Sequence, residues 1–150
     1  MKIKRPGIPL AEDDLQQFES RHKLQLPDDY RAYMLQHNGG MPWMVYFQSA
    51  SGDEYALTQL HSIGCDHPYD LDNQCRCHDW PAAYKEGTIV IGRDCAGSEF
   101  LMATRGKEAG SIYFLNREPT LRPKGRVARI ASSFSEMMDN LKPSFPDEEE

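Results

Sequence analysis

The triplet Asn38-Gly39-Gly40 constrains this chain more than any other feature, because it divides two kinds of sequence. Asn and Gly reach the left-handed backbone conformation that closes a helix. Before the triplet, apolar residues recur at helical spacing. Leu15, Phe18 and His22 form one stripe, and Tyr30, Tyr33, Met34 and His37 form a second. The first helix is expected from Leu10 or Ala11 to His22, with Glu12, Asp13 and Asp14 at the positive end of its dipole. Lys23 to Leu26 is a short link. Pro27 then opens the second helix, where its missing N–H is tolerated.

After the triplet the pattern is that of strands. Trp43 to Phe47 reads as a strand, Ser49 to Asp53 as a turn, and Glu54 to Leu57 as a second short strand with Leu60 packing beyond it. Thr88 to Gly92, Ser98 to Thr104 and Ser111 to Leu115 give the strongest strand signals, and Arg105 to Gly110 joins the last two as a hairpin. Pro119 to Gly125 is a connection, and Val127 to Ile130 an edge strand or extended lead-in. Cys65 to Pro81 has no period and reads as a long loop, with one helical turn near Trp80 to Tyr84. A final helix starts at Ser133, with Glu136 at the capping-box spacing. It presents Phe134, Met137, Met138 and Leu141, and Pro143 and Pro146 stop it. The expected fold is α+β: a twisted, mainly antiparallel sheet with two N-terminal helices and one C-terminal helix packed against one face. The reading divides the chain into an N-terminal extension (1–9), one domain (10–142) and an acidic flexible tail (143–150).

Composition narrows the function. At 150 residues and 39% apolar content, the chain can build one core without a disulfide scaffold or structural metal. No apolar run follows Lys2, Lys4 and Arg5, so neither a secretion signal nor a membrane span is expected. A cytoplasmic protein with free thiols follows from that. The formal charge is −6, and Asp147 to Glu150 supply four of the negative charges. An acidic balance argues against direct nucleic-acid binding. The charge is uneven: Asp53, Glu54, Asp66, Asp70, Asp72 and Asp79 face only Arg76 in the middle, while Arg105 to Arg129 is basic. A middle stretch held on one face would steer a basic protein partner. The competing reading is an ordinary solvated surface.

Several motifs then agree in order. Leu26-Pro27-Asp28-Asp29-Tyr30 followed by Asn38-Gly39-Gly40 resembles the opening of the SUKH superfamily. Ile89 to Asp94, with Gly92 and Asp94, is similar to its central strand and turn. Gly110 to Phe114 is similar to the strand after its hairpin, and Ile130 to Met138, with Phe134, to its closing helix. The resemblance spans about residues 10 to 142. One departure is the turn Asp94-Cys95-Ala96-Gly97-Ser98-Glu99, which lacks the family's second Gly and following Asp; another is the Cys- and His-rich 61–81 segment.

The resemblance implies a bacterial immunity protein that neutralises a cognate protein toxin, such as a nuclease, by stoichiometric binding. It implies no catalysis and no required cofactor. From the residues themselves, no apolar helix stripe is left over and no apolar span is present, so a monomer on its own without membrane binding is expected. Related fungal members are regulatory interaction domains linked to cell-wall synthesis, so a module without a toxin partner is the alternative. Acidic side chains that replace phosphates in a basic cleft would come from Asp53, Glu54, Asp66, Asp70 and Asp72, with Tyr69 and Trp80 as aromatic anchors. Trp43 and Tyr46 are further candidate anchors for which core packing is the preferred reading, and Arg117 to Arg129 is a second, basic face. A structural zinc is a rival use of His61, Cys65, His67, Cys75, Cys77 and His78. The spacing is not a repeated pair of close cysteines, so free thiols and surface histidines are preferred. Cys95 with His61 or His78 would permit a hydrolase list, but no nucleophile-elbow or zincin motif supports one.

Overall fold

The computed structural model describes residues 3–42, 45–64, 70–77, 87–117 and 126–142. Strand β1 (Ile3–Lys4) leads into helices α1 (Glu12–His22) and α2 (Asp28–His37). Strands β2 (Met41–Pro42), β3 (Tyr46–Gln48), β4 (Glu54–Ala56) and β5 (Gln59–Leu60) come next, then helix α3 (Leu71–Cys77). Strands β6 (Thr88–Arg93), β7 (Glu99–Ala103), β8 (Ile112–Asn116) and β9 (Arg126–Ala131) precede helix α4 (Phe134–Asp139). The order β5-β6-β7-β8-β9 forms one antiparallel sheet, while β1 pairs β2 and β3 pairs β4. This is the expected α+β class.

The sheet separates two apolar clusters, as alternation along a strand requires. Ile89, Ile91, Phe100, Met102, Ile112 and Phe114 share one cluster with Leu15, Phe18, Tyr30, Met34, Leu71, Phe134, Met137 and Met138 from all four helices. Val90, Leu101, Ala103, Tyr113 and Leu115 form a second buried cluster. Shifts of register at Val90/Gly92 and Ile112/Tyr113 locally reset the pairing.

The local signals act with small displacements. Helix α1 begins one residue after Ala11, whose N–H donates to Asp14 Oδ2 at 2.8 Å. Pro27 occupies the N-cap position, and Asp28 is the first helical residue of α2. In α4, Ser133 Oγ accepts from the Glu136 N–H at 3.0 Å. The reciprocal bond is shifted by one residue, since Glu136 Oε1 accepts from the Ser132 N–H at 2.8 Å. The N-terminal segment is tied in: Ile3 and Lys4 pair with Pro42 and Met41, and the Gly7 N–H donates to Asn38 O at 2.9 Å.

Two expectations need correction. The 65–81 segment is not a loop throughout, because α3 lies within it. Asp70 initiates this helix by accepting from the Asp72 N–H at 2.9 Å, and Leu71 is fully buried. A helix of two turns carries too few apolar residues to show a period. Of the strand expected from Trp43 to Phe47, Val45 is not in a strand and Tyr46 and Phe47 belong to β3; Trp43 and Met44, the helical turn at Trp80 to Tyr84, the Pro119 to Gly125 connection and the 143–150 tail lie outside the described residues.

Candidate functional site

The residues of the ordered motifs prove to be joints. Asn38 is 1% exposed and sits in the left-handed region at φ 51°. Its Nδ2 donates to Ile8 O at 2.8 Å and Ile63 O at 2.9 Å, while its Oδ1 accepts from the Ile63 N–H at 2.8 Å. Ser62 Oγ donates to Asn38 O at 2.7 Å. One amide therefore closes α2 and fastens both the N-terminal segment and the 62–63 segment to it. The neighbouring glycines leave room for this joint. A Cβ on Gly39 would lie 2.6 Å from His61 O, and one on Gly40 2.6 Å from Ile3 Cγ2.

The other motif residues serve the same end. Leu26 and Tyr30 are core residues, and Tyr30 and Tyr33 both meet the Phe134 ring edge-on at 5.1 and 5.2 Å. Asp29 Oδ2 accepts from the Ser135 N–H at 2.9 Å, which ties α2 to the first turn of α4. Asp94 Oδ1 accepts from the Ala96 and Ser98 N–H groups and builds the β6–β7 turn. Gly92 lets β5 approach, since its Cβ would stand 2.5 Å from Gln59 O.

Charges inside the helical layer are also committed. Arg31 holds Glu12 and Glu19, with Nη2 to Glu19 Oε1 at 2.8 Å. The Arg31 hydrogen bond holds the Glu19 carboxyl below its ordinary pKa against a smaller opposing effect of burial. Asp72 on α3 receives Arg21 Nη2 at 2.9 Å, Arg21 Nε at 3.1 Å and His22 Nε2 at 2.6 Å. Burial pushes the Asp72 pKa up, but the bonds from Arg21 and His22 together outweigh it and leave the carboxyl lowered.

The candidate binding residues divide sharply. Asp53 and Glu54 are exposed at the β3–β4 turn. Among the described residues, neither has an ion-pair partner; Asp53 Oδ2 accepts only from Ser51 Oγ, at 3.3 Å. Their support is firm. The Ser49 N–H donates to Asp53 O and the Gly52 N–H to Ser49 O, both at 2.9 Å. Phe47 and Tyr55 pair across the hairpin and enter the core, with Tyr55 4.8 Å from Phe114. Lys142 adds a bridge to Tyr46.

Asp70 and Asp72 do not join that turn as surface anions. Asp70 is 9% exposed and caps α3, and Asp72 is spent on Arg21 and His22. The sequence position of Asp72 gave no sign of this, because its partners lie about fifty residues away on α1. Asp66, Tyr69 and Trp80 lie outside the described residues. On the basic face, Arg117 pairs Glu99 at 2.6 Å and Arg129 pairs Glu108 at 3.1 Å.

Of the zinc candidates, Cys65, His67 and His78 lie outside the described residues, as does the Cys77 side chain. His61 is buried beside β6, and Cys75 is half-buried against the main core. Cys95 is an exposed thiol on the β6–β7 turn. Among the described residues, no three His, Cys, Asp or Glu side chains converge as a metal site. No helix among the described residues is long and apolar enough to cross a membrane.

A family model described as the SMI1 / KNR4 family (SUKH-1) matches residues 9–140. No curated protein matches the chain.

Proposed function

The chain belongs to the SMI1/KNR4 family (SUKH-1), and from that premise we propose that it is an immunity protein that binds and neutralises a protein toxin stoichiometrically. The observation that carries this reading is the β3–β4 turn, where a packed hairpin projects two carboxylates that have no ion-pair partner among the described residues. Most other acids that enter ion pairs, such as Glu19, Asp72 and Glu99, serve the domain itself. A nuclease toxin has a basic cleft, and carboxylates on a rigid support match it without a large ordering loss. Asp53 and Glu54 speed encounter with such a cleft, and apolar contacts around them supply the tighter part of the binding. The mechanism is occupation of the cleft by protein, with no bond made or broken.

The test is co-expression with the toxin domain encoded beside the gene. A one-to-one complex that abolishes toxicity supports the reading. The double change Asp53→Lys and Glu54→Lys should then lower the association rate at least tenfold at low salt, by analogy with other steered complexes. Normal protection by a chain that forms no complex overturns the reading. An unchanged association rate removes the hairpin from it.

A further inference from the structure

Asn38 is followed by Gly39, whereas Gln74, Arg117 and Leu141 follow the other asparagines, Asn73, Asn116 and Asn140. An Asn-Gly pair carries a chemistry of its own. The glycine nitrogen can attack the asparagine side-chain amide, because no Cβ on the glycine hinders the approach. The Gly39 N–H gives up its proton, a bond forms from Gly39 N to Asn38 Cγ, and the Cγ–Nδ2 bond breaks. Ammonia leaves with that proton, and a five-membered succinimide remains. Water then opens the ring to aspartate or isoaspartate. Water is the only co-reactant. In the unfolded chain Asn38 is therefore the asparagine most open to conversion.

The fold restrains both reacting groups. The Asn38 amide is held by the Ile8 and Ile63 carbonyls on Nδ2 and by the Ile63 N–H on Oδ1, all at 2.8–2.9 Å. The peptide that contains the Gly39 nitrogen is held too. Its carbonyl, Asn38 O, accepts from the Gly7 N–H at 2.9 Å and from Ser62 Oγ at 2.7 Å. Tyr33 Oη donates to Gly39 O at 2.9 Å. Asn38 stands at ψ 64°, and ring closure requires that torsion to turn. Asn38 and Gly39 are both buried, which leaves little room for the rotation or for water.

The segments fastened by the joint lie at the surface. Ile8 is 61% exposed and Gly64 is exposed, so parting them from Asn38 leaves the five-stranded sheet intact. We propose that Asn38 is a gated, one-way modification site: opening of this joint, rather than unfolding of the domain, admits the loss of ammonia, and the product keeps the joint from closing again. Aspartate turns a carboxylate oxygen on the Ile8 and Ile63 carbonyls that Nδ2 now serves. Isoaspartate adds a carbon to the backbone where Gly39 is packed against His61 O. The bonds that protect the amide are the ones the reaction destroys. This inference stands or falls independently of toxin binding.

The test incubates the full chain in mildly alkaline buffer, with and without denaturing urea, and follows the Asn38 peptide by mass spectrometry. Three amide bonds of ordinary strength should slow conversion in the folded chain by roughly a hundredfold. Ser62→Ala removes one bond to the joint and leaves the Asn-Gly pair untouched. It should raise folded-state conversion about fivefold and leave conversion in urea unchanged. Val90→Ala weakens the second cluster, remote from the joint, and should leave folded-state conversion unchanged. The converted chain, separated by ion exchange, should unfold at lower urea than the parent. The proposal is overturned if Asn38 converts as fast in buffer as in urea, or if Ser62→Ala fails to accelerate it. It is equally overturned if Val90→Ala accelerates conversion as much as Ser62→Ala does, or if the converted chain keeps the parent's midpoint.

Discussion

Replacing Asn38 with alanine removes a joint between three segments, and its effect can be worked from the bonds. Two donated bonds and one accepted bond disappear at a residue 1% exposed. Each such bond contributes about 1 kcal/mol net, and a group left buried and unsatisfied adds about 1–3 kcal/mol. The Ile63 N–H is the group most exposed to that second penalty, because the buried side of the joint admits few alternatives. Alanine also takes up φ 51° at a disadvantage of about 1–2 kcal/mol relative to right-handed backbone. Together these give a loss of about 5–8 kcal/mol, or roughly 10–32 °C in Tm for a domain of this size. Urea unfolding followed by circular dichroism measures it, with an unchanged slope as the check on two-state behaviour.

Asn38→Gly separates the two contributions, since it restores the left-handed backbone and not the bonds. It should recover about 1 kcal/mol of the loss. Asn38→Asp keeps the acceptor for the Ile63 N–H but turns a carboxylate oxygen toward the Ile8 and Ile63 carbonyls. Its folded-state pKa is therefore expected above the unfolded value of about 3.9. The penalty is full above that raised pKa and fades as pH falls through it, when the protonated acid can donate one bond. An Asn38→Ala protein within about 1 kcal/mol of the parent would refute the reasoning, since one intact bond would account for all of it.

Three further outcomes follow from other parts of the structure. Gly40→Ala forces a Cβ to 2.6 Å from Ile3 Cγ2 and 3.0 Å from Lys4 O at φ +97°, so it should destabilise by about 2–4 kcal/mol and expose β1 to protease, read by urea unfolding and limited proteolysis. Glu19 and Asp72 both have lowered folded-state pKa values, so their contribution is complete above the unfolded carboxylate range and is lost as pH falls through the folded values; Glu19→Gln and Asp72→Asn should flatten the fall in stability below about pH 4, and an unaltered acid profile counts against both ion pairs. Asp53→Asn with Glu54→Gln should leave stability within about 0.5 kcal/mol, whereas Tyr55→Ala should remove about 3–5 kcal/mol and the hairpin with it, as calorimetry would register.

Much of the fold is legible because its signals are local. The stripe Leu15-Phe18-His22, the Asn38-Gly39-Gly40 end and the Ser133 start each depend on residues within one or two turns, and each appears where expected. The runs at 88–93, 99–103 and 112–116 are apolar on both faces, and the structure buries both faces. Helix α3 escapes this logic. Its stability comes from Leu71 in the core and from Asp72 on α1, and neither contact leaves a period in seven residues. The candidate face is only half legible for the same reason. Acidity can be counted along the chain, but whether an acid is free depends on what stands opposite it.

Chain order and side-chain chemistry by themselves determined the α+β class, the helix ends and the family, since these rest on propensity, capping and motif spacing. Tertiary structure alone decided how the acids are used. It placed Asp53 and Glu54 on a supported turn where no cation among the described residues pairs with them, gave Asp72 to Arg21 and His22, and sank Asp70 into the start of α3. The physical reason is that a carboxylate's role is fixed by its distance to charge and water. Those distances are set by contacts between residues remote in the chain.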